Sequence, residues 1–139
     1  MPIIAAVDRT DHTDDIVTEG AQLAQAFDDP LHVVHVLDRA TFISLERATV
    51  EDTGETVPID EVREMAKTIA SEAAEECDID ADPVGLVGSP AEEIIKYADQ
   101  NDASYIVLGG RKQSPVGKAL FGSVAQSVIL NTSQSVVTV

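Results

Sequence analysis

Several things are scarce in this chain, and each shortage excludes something. There is one cysteine in 139 residues, Cys77. A single thiol forms no internal disulfide and is too few for a zinc cluster; at its position it reads as a small apolar residue on a helix. No apolar run approaches the roughly 20 residues that a bilayer-crossing helix needs. The opening MPIIAAVDRTD has no basic segment ahead of its short apolar run and an aspartate directly after it. It reads as a strand and not as a secretory leader. These shortages together lead us to expect a cytoplasmic protein of a reducing compartment.

Basic residues are also few: nine, against 25 acidic ones, for a net charge of −16. A surface of that sign repels nucleic acid and anionic membrane, so neither is expected as a partner. Adaptation to molar salt is one physical reason for it, because carboxylates keep a surface hydrated while salt screens their mutual repulsion. The acids themselves stop short. None lies beyond Asp102, whereas three bases do: Arg111, Lys112 and Lys118. Burial of the last stretch accounts for the missing acids. The clustering of all three bases in one glycine-containing loop adds an anion site to that reading.

An apolar content of 44% is ample for a core, and the length suits one domain, residues 1–139. Ile3 to Asp8, Leu31 to Leu37 and Ser104 to Leu108 are short apolar runs rich in β-formers, as buried parallel strands require. Ala81 to Val87 is a weaker strand with Pro83 near its start, which places it toward a sheet edge. Ser135 to Val139 closes the chain as a strand. Between these runs the apolar residues repeat at helical spacing. Ile16, Gly20, Leu23, Ala24 and Phe27 mark one stripe, and Val62, Met65, Ala66, Ile69, Ala73 and Cys77 a second. Ile94, Ile95 and Ala98 follow Ser89-Pro90-Ala91-Glu92, a capping-box pattern with proline at the first helical position. A last stripe is Val124, Ala125, Val128 and Ile129. Residues 38–58 show no clear period and read as a long loop, with at most a helical turn around Phe42 to Arg47.

The resulting order, βαβαβαβαβ, gives an α/β fold: a doubly wound five-stranded parallel sheet with helices on both faces. The strand order chosen is 3-2-1-4-5, with 2-1-3-4-5 as the alternative that pattern leaves open. Such sheets bind ligands beyond the carboxyl ends of their strands, where the winding switches direction. In the chosen order that point lies between strand 1, ending at Asp8, and strand 4, ending at Gly109-Gly110. The loop GGRKQSPVGKALFGSV then supplies glycines, three bases, and a helix start at Gly122-Ser123 whose free N–H groups and hydroxyl suit a polyphosphate. It is not a Walker A loop, since Gly117-Lys118 is followed by Ala119. His32 and His35 alternate with valines on a strand and have no partner at metal-ligand spacing, so no metal site is expected on the protein itself.

This loop resembles that of the ATP-binding universal stress proteins, in which G-x-x-G, nine further residues and G-[ST] lie between strand 4 and the last helix. Gly109 takes the first position, and Gly122-Ser123 follow nine residues after Lys112. The resemblance extends along the chain through Ala6-Val7-Asp8, His35-Val36-Leu37-Asp38 and Gly88-Ser89-Pro90. It implies the 3-2-1-4-5 sheet, a homodimer formed through strand 135–139, and a site for ATP or another adenine nucleotide with Mg²⁺ riding on the phosphates. Carried over, Asp8 (with Ala6 and Val7 leading to it) would meet the nucleoside. Leu37 and Leu108 would be apolar walls for the base, and Gly109, Gly122, Ser123 and Val124 would contact ribose and phosphates. The departure is Lys112, which stands where the family has its second glycine. It either adds a charge to the phosphates or obstructs the site. No catalytic residue is expected, because Asp8 is assigned to the nucleoside and no other carboxylate is placed to act as a base. The function implied is nucleotide-gated regulation through a protein partner; a slow ATPase and a dimer that binds no nucleotide are the alternatives.

The charge balance makes one prediction independent of the site. Because self-repulsion among the acids is screened by salt, the thermal midpoint rises between dilute buffer and molar KCl. A midpoint unchanged across that range in a melting experiment contradicts it.

Overall fold

The structure is a computed structural model. It describes residues 1–8, 12–113 and 119–139, and the side chains of residues 111–113 and 119–121 lie outside that description. The elements are β1 (Ile3–Ala6), α1 (Thr13–Phe27), β2 (Leu31–Leu37), α2 (Arg39–Thr53), α3 (Ile59–Glu76), β3 (Asp82–Val87), α4 (Pro90–Gln100), β4 (Tyr105–Leu108), β5 (Arg111–Gln113), β6 (Ala119–Phe121), α5 (Ser123–Asn131) and β7 (Ser135–Thr138).

Five strands form one parallel sheet in the order β3-β2-β1-β4-β7. Counting only the strands of this sheet, that is the order 3-2-1-4-5 expected from the sequence, and the alternative is excluded. β1 is central because it carries no polar side chain: Ile3, Ile4 and Ala5 are completely buried. Its register sets Ala6 beside Val34 of β2 and beside Leu108 of β4. Both faces are covered. On one, Ile16 and Val17 of α1 and Ala70, Ala73 and Ala74 of α3 pack on Ile3, Ala5 and Val33. On the other, Ala91, Ile94 and Ala98 of α4 and Ala125 and Val128 of α5 pack on Ile4, Val34 and Ile106. Alternation along each strand sends successive side chains to these two layers.

β3 is an edge strand and takes Pro83 within its run, as its weak pattern indicated. Gly85 in it allows α3 to sit directly on the sheet. A Cβ there would lie 2.1 Å from the Arg63 carbonyl oxygen and 2.4 Å from the Lys67 nitrogen.

Residues 38–58 differ from expectation, since most of them form α2. The helix starts at Asp38, whose carboxylate accepts from the Thr41 N–H at 2.7 Å, and ends at Gly54 in the left-handed region, φ 74°. Its signals are therefore caps and not a stripe. It has no fully buried residue, and only Phe42 joins the small cluster of Leu37, Val62 and Ala66. Without an inward stripe, periodicity had nothing to detect. Other stripes were drawn too wide. Phe27 is exposed and stacks on Tyr105 at 5.5 Å, while Met65, Val124 and Ile129 are also exposed and not part of the core. Ser89 does begin α4, but its side chain makes no capping bond.

Candidate functional site

A cleft of about 390 Å³ opens over the carboxyl ends of β1, β2 and β4. That size falls within the usual ~300–1,000 Å³ of small-molecule sites. Three features of the chain create it. β1 and β4 run side by side, and the helices that follow them, α1 and α5, lie on opposite faces of the sheet. The strand ends are then fixed by backbone bonds: Val7 N–H to Val34 at 2.8 Å, Gly88 N–H to Leu37 at 2.9 Å, and Val139 N–H to Leu108 at 2.9 Å. At the first turn of α1 the Thr13 hydroxyl donates to the Asp8 carbonyl, holding the backbone of Asp8 at the mouth.

Seven of the ten residues singled out in the sequence line this cleft. Ala6, Val7 and Asp8 come from the end of β1 and Leu37 from the end of β2. Leu108 and Gly109 leave β4, and Val124 reaches in from the first turn of α5. Topology thus brings together segments about a hundred residues apart. The other three are not among its described walls but neighbour them along the chain. Gly122 is the N-cap of α5 and Ser123 its exposed first residue. Lys112 belongs to β5, which pairs with β6 as a short antiparallel ladder setting Lys112 opposite Leu120. The direction of the Lys112 side chain lies outside the described residues, as do Lys118 and the side chain of Arg111.

The glycines divide by what they do. At Gly109 a Cβ would come within 2.8 Å of Ile16 Cδ1, and at Gly110 within 2.5 Å of Ala125 Cβ. Internal packing therefore requires both. Gly122 differs. Its φ is −65°, open to any residue, and a Cβ there would have no neighbour nearer than the Gly110 carbonyl oxygen at 4.0 Å. Nothing within the described chain demands glycine at this helix start.

Sequence reasoning missed several lining groups. Asp38 and Thr41 belong to the start of α2, which was read as loop. Ile69, Pro90 and Ile94 carried only the ordinary signals of core and helix start. His35 was visible as a histidine alternating with valines. The structure buries it, with Nδ1 2.8 Å from the Val7 carbonyl oxygen. The neighbouring His32 points the other way, to the Tyr97 hydroxyl at 2.7 Å. Burial, more than the nearby Asp82, sets its pKa, and lowers it. No group of three or more potential metal ligands occurs among the described residues.

The cleft lining is largely aliphatic and includes two carboxylates, Asp8 and Asp38. The Thr41 backbone N–H holds the Asp38 carboxyl below its ordinary range. Asp38 is thus committed to capping α2 and is a weak base. Positive charge follows the strand ends directly in sequence: Arg9 after Asp8, Arg39 after Asp38, and Arg111 and Lys112 after Gly109-Gly110.

The sequence matches the model of the universal stress protein family over residues 1–139. The universal stress protein MJ0531 of Methanocaldococcus jannaschii is 27% identical over 93% of this chain and 75% of its own length. A solved universal stress protein of Archaeoglobus fulgidus superposes with a TM-score of 0.70 at 31% identity, covering 99% of this chain and 97% of that one. A second Archaeoglobus fulgidus structure, described as the universal stress protein in complex with dAMP, has a TM-score of 0.65 at 24% identity, with 99% and 96% covered. The chain belongs to the universal stress protein family.

The cap at the cleft yields a pH prediction. The native state holds the Asp38 carboxyl below its unfolded pKa. The stability it confers is therefore fully present above the unfolded value and is lost as pH falls through the folded one. Asp38→Ala costs about 1 kcal/mol at pH 7, and the difference from wild type disappears in strong acid. Urea titrations at several pH values check this; a cost that persists in acid contradicts it.

Proposed function

We propose that this protein is a nucleotide-binding regulator that holds ATP, or another adenine nucleotide, in the cleft at the ends of β1 and β4. The observation that carries this reading is the convergence of Asp8, Leu37, Leu108, Gly109 and Val124, from four separate segments, on one cleft of suitable size. The open space at Gly122 supports it further, because a glycine that neither packing nor φ requires has room for a phosphate against its backbone. A relative of the same fold is described with dAMP bound. In this reading the aliphatic walls take the base and Asp8 meets the ribose or base edge. The start of α5, with the bases after Gly110, takes the phosphates and the Mg²⁺ they carry.

Regulation is favoured over hydrolysis. Attack on a γ-phosphate needs a group that positions water, and the cleft's two carboxylates have other work: Asp38 caps α2, and Asp8 is assigned to the nucleoside. The free outer edge of β7 beyond β4 fits pairing with a second copy through residues 135–139. The whole chain then acts as one cytoplasmic domain, with nucleotide favouring one conformation or dimer that a protein partner senses.

Titration calorimetry with ATP and Mg²⁺ tests this, with Gly122→Asn as the diagnostic variant. Asparagine is at least as good an N-cap as glycine, so the thermal midpoint is retained. Its side chain fills the phosphate approach, and affinity falls at least tenfold. Absence of binding by folded wild type, in dilute buffer and in molar KCl alike, overturns the reading.

A further inference from the structure

The helix α2 is well capped but thinly packed. Asp38 takes the Thr41 N–H at its start, and the Gly54 N–H closes its end on the Val50 carbonyl at 2.9 Å. Yet no residue of it is fully buried, and only Phe42 joins a core cluster. A helix of 15 residues is marginal in water unless an apolar face is covered. Ile43 is nevertheless 50% exposed and Val50 43%. With Glu46, Arg47 and Glu51 they line a groove along one side of the helix, which shares no residue with the cleft.

Single exposed aliphatics are ordinary; the order of residues on this side is not. Ile43 and Val50 stand seven positions apart, two turns of helix, and Glu46 and Arg47 sit midway between them. A twofold axis crossing the helix between Glu46 and Arg47 therefore maps the pattern onto itself. It sets Ile43 against Val50 of a second copy and Glu46 against Arg47 of that copy, each contact made twice. This is the self-complementarity that an isologous interface requires. A parallel arrangement would instead put Glu46 on Glu46 and Arg47 on Arg47. Among the described residues neither charge has an ion-pair partner within its own chain.

We propose that this side of α2 is a docking surface for α2 of a second copy of the chain, the two helices running antiparallel about that axis. The aliphatic side chains provide the attraction. The charges set register and direction, since exposed ion pairs contribute little binding of their own. Four half-covered aliphatics fall well short of the ~1,200 Å² that stable interfaces bury, so the pairing is weak. Each copy also carries −16, and salt must screen that repulsion before the helices meet. The proposal does not depend on nucleotide binding. It also uses the side of the molecule that follows β2, whereas β7 lies at the far edge beyond β4.

Sedimentation equilibrium on concentrated protein tests it, at the lowest KCl concentration at which wild type is fully folded. The samples are wild type, Glu46→Arg, Arg47→Glu, an equimolar mixture of those two variants, and Ile43→Ser with Val50→Ser. Circular dichroism confirms that each is folded. Wild type is expected to self-associate more strongly than the double serine variant. Each charge variant sets like charges against each other twice and weakens that association about tenfold or more. Glu46→Arg does so although it makes the chain less acidic, which separates register from general repulsion. The mixture recovers the association, because a doubly basic side then meets a doubly acidic one. Pairing through residues 135–139 would appear equally in every sample, so only the differences among samples are read. Wild type that associates no more than the double serine variant overturns the proposal and leaves the groove to a different partner. Indifference to the single charge changes, or a mixture no stronger than its components, overturns it as well.

Discussion

Everything in this molecule that resembles a site depends on one constraint, the parallel pairing of β1 with β4 at the centre of the sheet. Ala6 beside Leu108 fixes where both strands end. The chain then leaves β1 toward the face covered by α1 and α3, and after β4 it reaches the face covered by α4 and α5. Two exits in opposite directions leave a gap that no side chain of the core fills. Gly109 permits the close approach, since any side chain there would strike Ile16 and His12 of the helix leaving β1. The cleft is thus a consequence of winding, and its lining residues are those that happen to end strands.

Chemistry is laid over that geometry with few polar groups. Asp8 is held by its backbone through Thr13 and, across the preceding peptide, by His35 on the Val7 carbonyl. Asp38 is engaged by the N–H groups at the start of α2. Carboxylates at the cleft of a chain already at −16 would by themselves repel an anionic ligand. The proposed nucleotide mode therefore relies on the one part of the sequence that is free of acids, the stretch after Asp102. There the β5–β6 ladder with Arg111 and Lys112 leads into the start of α5.

The sheet was legible because buried parallel strands announce themselves as apolar runs, and Ile3 to Ala6, Leu31 to Leu37 and Tyr105 to Leu108 did so. Pro83 correctly marked an edge. The runs leading to Asp8 and Gly109 were legible for the same reason, although β1 itself stops at Ala6 and β4 at Leu108, and so nearly half of the lining could be named in advance. What failed was anything lacking a core face. α2 buries no residue completely, so its only signals were Asp38, Thr41 and Gly54 at its ends. Missing the helix meant missing Asp38 and Thr41 as lining groups. The short β5–β6 ladder was likewise absorbed into a loop. His35 was legible only as a histidine alternating with valines, because its bond to Val7 links residues 28 apart in sequence and only the register of β1 on β2 brings it about.

The most direct test of the account is to map amide chemical shifts of the wild-type protein by NMR as ATP and Mg²⁺ are added. The account predicts changes concentrated at Asp8, Leu37, Gly109, Gly122 and Val124, the ends of β1, β2 and β4 and the start of α5. Changes confined to surfaces away from these strand ends, such as the outer face of α2, would contradict it.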